Sequence, residues 1–372
     1  MTRGALDGVR VLDLTTYLPG PYASMLLGDL GADVIQIEPP VGDPGRSVPP
    51  QAGGSSALHQ WVARNKRSVA LDLKNQDDYK VFARLARNCD VVLEGFTSGT
   101  ASRLGVGYGD CHGLNERVIY CSISASGSGH ASSAAPGHDI NALARSGFLD
   151  QARDGSGTPV AIGPPIADIS CGLHAAVAIL AALRHRDRTG EGQLVEISLL
   201  SSALALAGPQ LVKALAPTPL PRSRDHNLGA DPAYHVYRTA DGKYVSIGAL
   251  EPKFWERLCR VLELPELEKL RQDDPPAAIA RLQEVFGAAE RQHWDDLLGP
   301  AMVCYAPVNG IDDVATDPVV VQSGELRHYD ENSGQVQLRN PIRMTATPAV
   351  LRSAAPHLSR DGSIQWQART QS

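Results

Sequence analysis

The stretch Val9-Arg10-Val11-Leu12-Asp13-Leu14, followed by Pro19-Gly20-Pro21, Tyr22 to Leu30, Gly31-Ala32-Asp33 and Val34-Ile35-Gln36-Ile37, decides the fold. A short aliphatic run leads through an amphipathic segment and a glycine turn into a second such run, which reads as β-α-β. Working outward, Ser68 to Lys74 is strand-like, Gln76 to Asn88 has helical periodicity, and Val91-Val92-Leu93-Glu94 and Val118 to Ile123 are further buried strands. Strands alternating with helices predict an α/β domain on a Rossmann-like parallel sheet.

The character changes after the proline-rich Pro217 to Arg224, which reads as a linker. Asp241-Gly242 between two β-prone runs predicts a hairpin, and Pro252 in first-turn position opens a helix. The expected organisation is a large α/β domain over 1–216, a small α+β domain over 217–322, and a segment over 323–372 that returns to the large domain. In that last segment, Glu325 to Asn340 reads as a hairpin and Pro341 to Thr347 as an extended strand.

The 372 residues are 43% hydrophobic, 20% charged and 5% aromatic, enough for a sizeable core in two domains. A formal net charge of −6 and a pI near 6.0 argue against nucleic acid or an anionic membrane as the main partner, and leave room for a local anion site. Met1-Thr2-Arg3-Gly4 does not open a signal peptide and no uninterrupted apolar run reaches the ~18 residues of a bilayer span, so the expectation is a cytoplasmic chain without a membrane partner. The six cysteines show neither metal spacing nor a paired framework, so no metal is expected.

Glu38 ends the second strand, where a dinucleotide fold would hold a ribose hydroxyl. The turn Thr15-Thr16-Tyr17-Leu18-Pro19-Gly20 nevertheless lacks the glycine fingerprint, which weakens a nicotinamide reading. Arg46 in Gly42-Asp43-Pro44-Gly45-Arg46 and the pair Lys66-Arg67 bring cations near strand ends, either as solvated surface or as phosphate contacts.

Chemistry concentrates at Gly137-His138-Asp139-Ile140-Asn141. Asp139 reads as the N-cap of a helix through Ala142 to Arg145, which would hold His138 on a loop with a pKa near ~6.5, suited to proton transfer. The small-residue loop from Ser124 to Pro136 leads into it and reads as an active-site lid. Asp168 precedes the apolar Ile169 to Leu183 and reads as an N-cap or as a chemical group. Glu251 stands at the entrance of the helix opened by Pro252.

Together, Leu6 to Leu14, Gly28-Asp29-Leu30-Gly31-Ala32-Asp33-Val34, Asn65 to Ser68 and Leu71-Asp72-Leu73-Lys74 resemble the family III CoA-transferase (CaiB/BaiF-like) superfamily across nearly the whole chain. Arg103-Leu104-Gly105, Gly137 to Asn141, Asp168 and Gly248-Ala249-Leu250-Glu251-Pro252-Lys253-Phe254 resemble its α-methylacyl-CoA racemase branch. The resemblance implies a 1,1-proton transfer through an enolate, with His138 supported by Glu251 on one face and Asp168 on the other. It implies an acyl-CoA thioester substrate with no separate cofactor, and a CoA site formed by Leu71, Asp72, Leu73, Lys74, Gly95, Phe96, Thr97, Arg103, Gly137, Asp139, Ile140, Asn141 and Ala142, to which Arg46 is added. It also implies an interlocked homodimer whose active site lies between the large domain of one chain and the small domain of the other. Ser126 to His130 departs from the Gly-Gln-x-Gly-Pro-like loop of the family, and Pro39 stands where racemases often carry an arginine. The rival within the superfamily is a CoA-transferase in which Asp168 is a nucleophile.

Overall fold

The computed structural model of the chain describes residues 4–52, 54–130, 133–154, 156–328 and 336–368. The chain divides into two compact units, Met1–Gly208 with Gly324–Ser372, and Pro209–Ser323. The helix Leu199–Ala214 crosses the first division and contains Pro209, so the unit changes inside a helix and before the proline-rich linker.

The first unit is built on six parallel strands: β1 (Arg10–Leu14), β2 (Asp33–Glu38), β3 (Lys66–Ala70), β4 (Val91–Glu94), β5 (Ile119–Ser124) and β6 (Gln193–Ser198). Their order across the sheet is β3-β2-β1-β4-β5-β6. The order reverses between β1 and β4, which makes their carboxyl ends a topological switch point.

Both faces of the sheet are covered, as is usual for a parallel sheet. Val11, Val34 and Leu93 bury one face, while Leu12, Ile35 and Val92 bury the other, following the strand period of two. The helix α1 (Pro19–Asp29) packs the first face together with a long helix, Ile166–Thr189. Their approach depends on Gly172, where a Cβ would lie 2.6 Å from the Pro19 carbonyl oxygen. The long helix has the length and composition of a membrane span, yet Ala167, Cys171, Ala175 and Ile179 are buried in the core of the sheet.

The tail segment rejoins this unit through hydrogen bonds. Asn65, at φ +59°, donates its backbone N–H to Ser353 O at 3.0 Å, Arg352 donates to Gly28 O at 2.8 Å, and Trp366 Nε1 donates to Leu85 O at 3.0 Å. Strands Leu326–His328 and Val336–Leu338 pair antiparallel as the expected hairpin, whose connection, 329–335, lies outside the described residues. The extended strand expected over Pro341 to Thr347 does not form; these residues are bends and irregular backbone without a strand neighbour.

The second unit carries an antiparallel sheet of Tyr234–Arg238, Tyr244–Gly248 and Tyr305–Pro307, with the first two joined at Asp241-Gly242. Gly242 takes φ +76° there, as the turn demands. Tyr237, Trp255, Phe286 and Trp294 form its core with the surrounding helices.

Candidate active site

A parallel sheet sets every strand's carboxyl end on one edge, so the segments after β1, β2, β3, β4 and β5 share that edge. These segments hold most of the residues singled out from the sequence. A cavity of about 310 Å³ opens at the switch point, lined by Thr15 to Tyr17, Gly95 to Thr97, Gly137, His138 and Asp168 among others.

His138 stands at the N-cap position of the helix Asp139–Arg145, with extended backbone at φ −113° and ψ 177°. Its backbone N–H donates to Asn141 Oδ1 at 3.0 Å, which fixes the loop-to-helix junction. The imidazole is exposed, whereas Ala142 and Leu143 one turn on are buried and anchor the helix. Ile140, in contrast, is 48% exposed.

The expected role of Asp139 as the cap of its own helix is not what forms. Asp139 is the first residue of that helix, and its Oδ1 accepts from the backbone N–H groups of Ala167 at 2.6 Å and Asp168 at 3.1 Å. It therefore caps the long helix Ile166–Thr189, whose own N-cap residue, Pro165, offers no side-chain acceptor. Asp168 in turn is the third residue of that helix and not its cap. Burial, with the Asp139 carboxylate beside it, pushes the Asp168 carboxyl up from 3.8 to about 7. The cavity thus combines an imidazole with a carboxyl that is half-ionised near neutral pH.

The cations resolve into two groups. Lys66 is buried and pairs with Asp13 at 3.1 Å while donating to Pro21 O at 3.0 Å, and Arg67 pairs with Asp33 at 2.7 Å. Arg46 is held by Glu38 through Nη2 at 2.6 Å and Nε at 2.7 Å, so its guanidinium is engaged and is not a free phosphate contact. Glu38 is filled in the same way: burial pushes its carboxyl up, and hydrogen bonds from Arg46, Ser68 and the Asp43 N–H together bring it below the usual range. A ribose hydroxyl would have to displace part of that set. Lys74 and Arg103 form the other group; both are exposed, and neither has an ion-pair partner among the described residues. Leu71 is buried in the core and donates its backbone N–H to Glu38 O at 2.9 Å, Asp72 is exposed, and Leu73 is half-buried. These four residues and Arg103 do not line the switch-point cavity.

Residues 6–362 match the family model described as CoA-transferase family III. The chain belongs to CoA-transferase family III. It is 34% identical over 347 residues to the Homo sapiens protein named succinyl-CoA:glutarate CoA-transferase, covering 90% of this chain and 79% of that one. It is 32% identical over 365 residues to the Homo sapiens alpha-methylacyl-CoA racemase, covering 97% and 90% respectively. The crystal structure of a CaiB/BaiF family protein from Brucella suis superposes with a TM-score of 0.85 at 29% identity, covering 98% of each chain.

In this family III chain, Glu251 belongs to the second unit. It occupies the N-cap position of the helix Pro252–Val261, and its exposed side chain makes no capping hydrogen bond. The preceding turn is fixed by Arg271, which donates to Leu250 O at 3.3 Å, pairs with Asp231 at 2.9 Å and lies over the Trp255 ring.

Sequence reasoning missed the Thr15-Thr16-Tyr17 wall of the cavity. The signal was available in its place directly after the first strand, where ligands of open α/β sheets bind. Tyr17 has φ +63°, and its backbone N–H donates to Asp43 Oδ1 at 3.3 Å. Glu94, ending β4, was likewise missed. Burial raises its carboxyl above the usual range against hydrogen bonds from Ser122 and the Phe96 N–H, and it lines an adjoining cavity of about 220 Å³.

Proposed function

We propose that the protein racemises 2-methylacyl-CoA thioesters by 1,1-proton transfer. The observation that carries this reading is that His138 and Asp168 line the same cavity while the Asp168 carboxyl sits at about 7. One group removes the α-proton, electrons move into the thioester carbonyl to give an enolate, and the other returns a proton to the opposite face. A carboxyl near 7 is present as base and as acid at neutral pH, which a reversible inversion needs. The backbone N–H groups of Asp139 and Ile140, at the start of the Asp139–Arg145 helix and ahead of the Asn141 N–H that donates to His138 O, would serve the enolate oxygen. Glu251 supports His138 in this reading, and the unpaired Lys74 and Arg103 meet the phosphates of CoA. The working enzyme is a homodimer in the same reading, which sedimentation of the purified chain tests.

A second reading has support of its own, because the human relative named above is a CoA-transferase. There the Asp168 carboxylate attacks the thioester carbonyl, expels the CoA thiolate and forms a mixed anhydride. That step needs the ionised carboxylate, so its rate would climb through pH 7, and it has no use for His138.

The deciding experiment is proton NMR of a 2-methylacyl-CoA with the enzyme in deuterated water, following α-proton loss and optical purity, with an acceptor acid supplied separately. Exchange with loss of optical purity that disappears in His138→Ala supports the racemase. Absence of exchange, with CoA appearing on the acceptor, replaces it with the transferase.

A further inference from the structure

His138 also borders a second cavity of about 490 Å³, which shares Ala125 and Ala135 to His138 with the lining of the switch-point cavity. Ala125, Ala142 and Leu200 give it apolar lining, and Ser126, His130, Asn141 and Arg145 give it polar lining. Among the described residues, no aspartate or glutamate lines this cavity, and Arg145 has no ion-pair partner. Arg46, Lys66 and Arg67 are each engaged by a carboxylate, whereas, among the described residues, Arg145, like Lys74 and Arg103, is not. Arg145 is a cation left open beside a candidate proton-transfer group.

Helix geometry sets the spacing. His138 and Arg145 are the two ends of the helix Asp139–Arg145, roughly 10 Å apart along its axis at 1.5 Å per residue. Helical side chains lean toward the N-terminal end, so the guanidinium reaches back toward His138 over Asn141 and Ala142, which lie on the same face at i−4 and i−3. A chain of a few methylenes fits the apolar walls, and a planar carboxylate fits the guanidinium fork of Arg145.

We infer that the second cavity holds the distal carboxylate of the acyl group, so that the substrates this enzyme prefers are CoA thioesters of short 2-methyl dicarboxylic acids. The inference rests on the reading of the His138 cavity as an acyl-CoA site. An uncharged branched acyl chain would leave Arg145 without a partner and gain only the apolar walls.

The test compares 2-methylglutaryl-CoA, with the thioester on the carboxyl next to the methyl-bearing carbon, and 2,5-dimethylhexanoyl-CoA, in which an isopropyl group replaces the carboxylate. Binding of each to the full-length protein is measured by titration calorimetry, and α-proton exchange is followed in deuterated water. The diacid thioester binds at least tenfold more tightly, in line with a charge-assisted, bidentate contact. Arg145→Gln brings the ratio of the two affinities close to one, and Arg145→Lys keeps part of it. Equal affinities in the unaltered protein, or a preference that persists in Arg145→Gln, overturn the inference. A preference that depends on Arg145 without any α-exchange upholds the carboxylate site and removes the racemase reading instead, so the two can fail separately.

Discussion

The carboxylate of Asp139 accepts the backbone N–H of Asp168 at 3.1 Å, so the residue after the candidate imidazole caps the helix that carries the candidate carboxyl. One side chain thereby fixes the spacing of the two groups and raises the proton affinity of one of them. Asp139→Asn keeps an oxygen to accept from Ala167 and Asp168 but removes the negative charge. The Asp168 pKa should fall, moving the acid limb of the pH profile for α-exchange below that of the unaltered enzyme. Asp139→Ala should also lose the cap, at about 1 kcal/mol of stability. Activity that collapses in Asp139→Asn as fully as in His138→Ala would show a direct chemical role for Asp139.

Asp168 makes its own case in stability. Its carboxyl is raised in the folded protein from 3.8 to about 7, so the folded state binds this proton more tightly than the unfolded one. The contribution is fully present below about pH 4 and is lost as pH rises through 7. Asp168→Asn, which cannot ionise, should therefore melt higher than the unaltered protein at pH 8 and about equally at pH 4. The gain at pH 8 is roughly 1–4 kcal/mol, at 1.36 kcal/mol per tenfold change in proton affinity. Thermal denaturation at the two pH values checks the sign, and α-exchange in the same variant should be absent.

These couplings also mark how far the sequence could be read. The β-α-β from Val9 to Ile37 is legible because its apolar runs, helix and turn are consecutive, and the hairpin at Asp241-Gly242 is legible because two residues dictate the turn. His138 could be found because it sits in a local motif. The partner of Asp139 could not, since its contact lies 28 to 29 residues away on a separate helix. Lys66 and Arg67 showed their charge but not their partners, because Asp13 is 53 residues from Lys66 and only the β1-β2-β3 order brings them together. Pro341 to Thr347 failed as a strand for a related reason: local propensity has no effect without an adjacent strand edge to pair with.

Gly172 tests how tightly the Asp168 helix is seated. A methyl group there would lie 2.6 Å from the Pro19 carbonyl oxygen and 2.9 Å from Tyr22 Cδ1, contacts that only a shift of one helix relieves. Gly172→Ala should cost about 1–3 kcal/mol through overpacking, despite the better helix propensity of alanine. Because Asp168 lies one turn earlier on the same helix, kcat for α-exchange should fall as well. A melting temperature equal to that of the unaltered protein would mean that the two helices can separate without loss.

Tyr17 and Asp43 give the last expectation. Tyr17 holds a left-handed backbone that costs a bulky residue roughly 1–3 kcal/mol. Its N–H is held by Asp43, which also accepts from Gly45 N at 2.8 Å and Gln36 Nε2 at 3.2 Å. Burial pushes the Asp43 carboxyl up, so a neutral replacement of the same shape removes an unfavourable charge. In Asp43→Asn the new amide would face the Gln36 amide, whose Oε1 is buried without a partner, and a flip of Gln36 would let that oxygen accept. Asp43→Asn should therefore keep both stability and kcat/KM. Asp43→Ala leaves three donors without their acceptor, those of Gly45 and Gln36 buried, should cost about 1–3 kcal/mol, and should raise KM as the Thr15 to Tyr17 wall loosens. Melting curves and α-exchange kinetics on the pair separate shape from charge: if Asn is as damaging as Ala, the carboxylate's charge holds the loop, and the hydrogen-bond argument for Tyr17 is wrong.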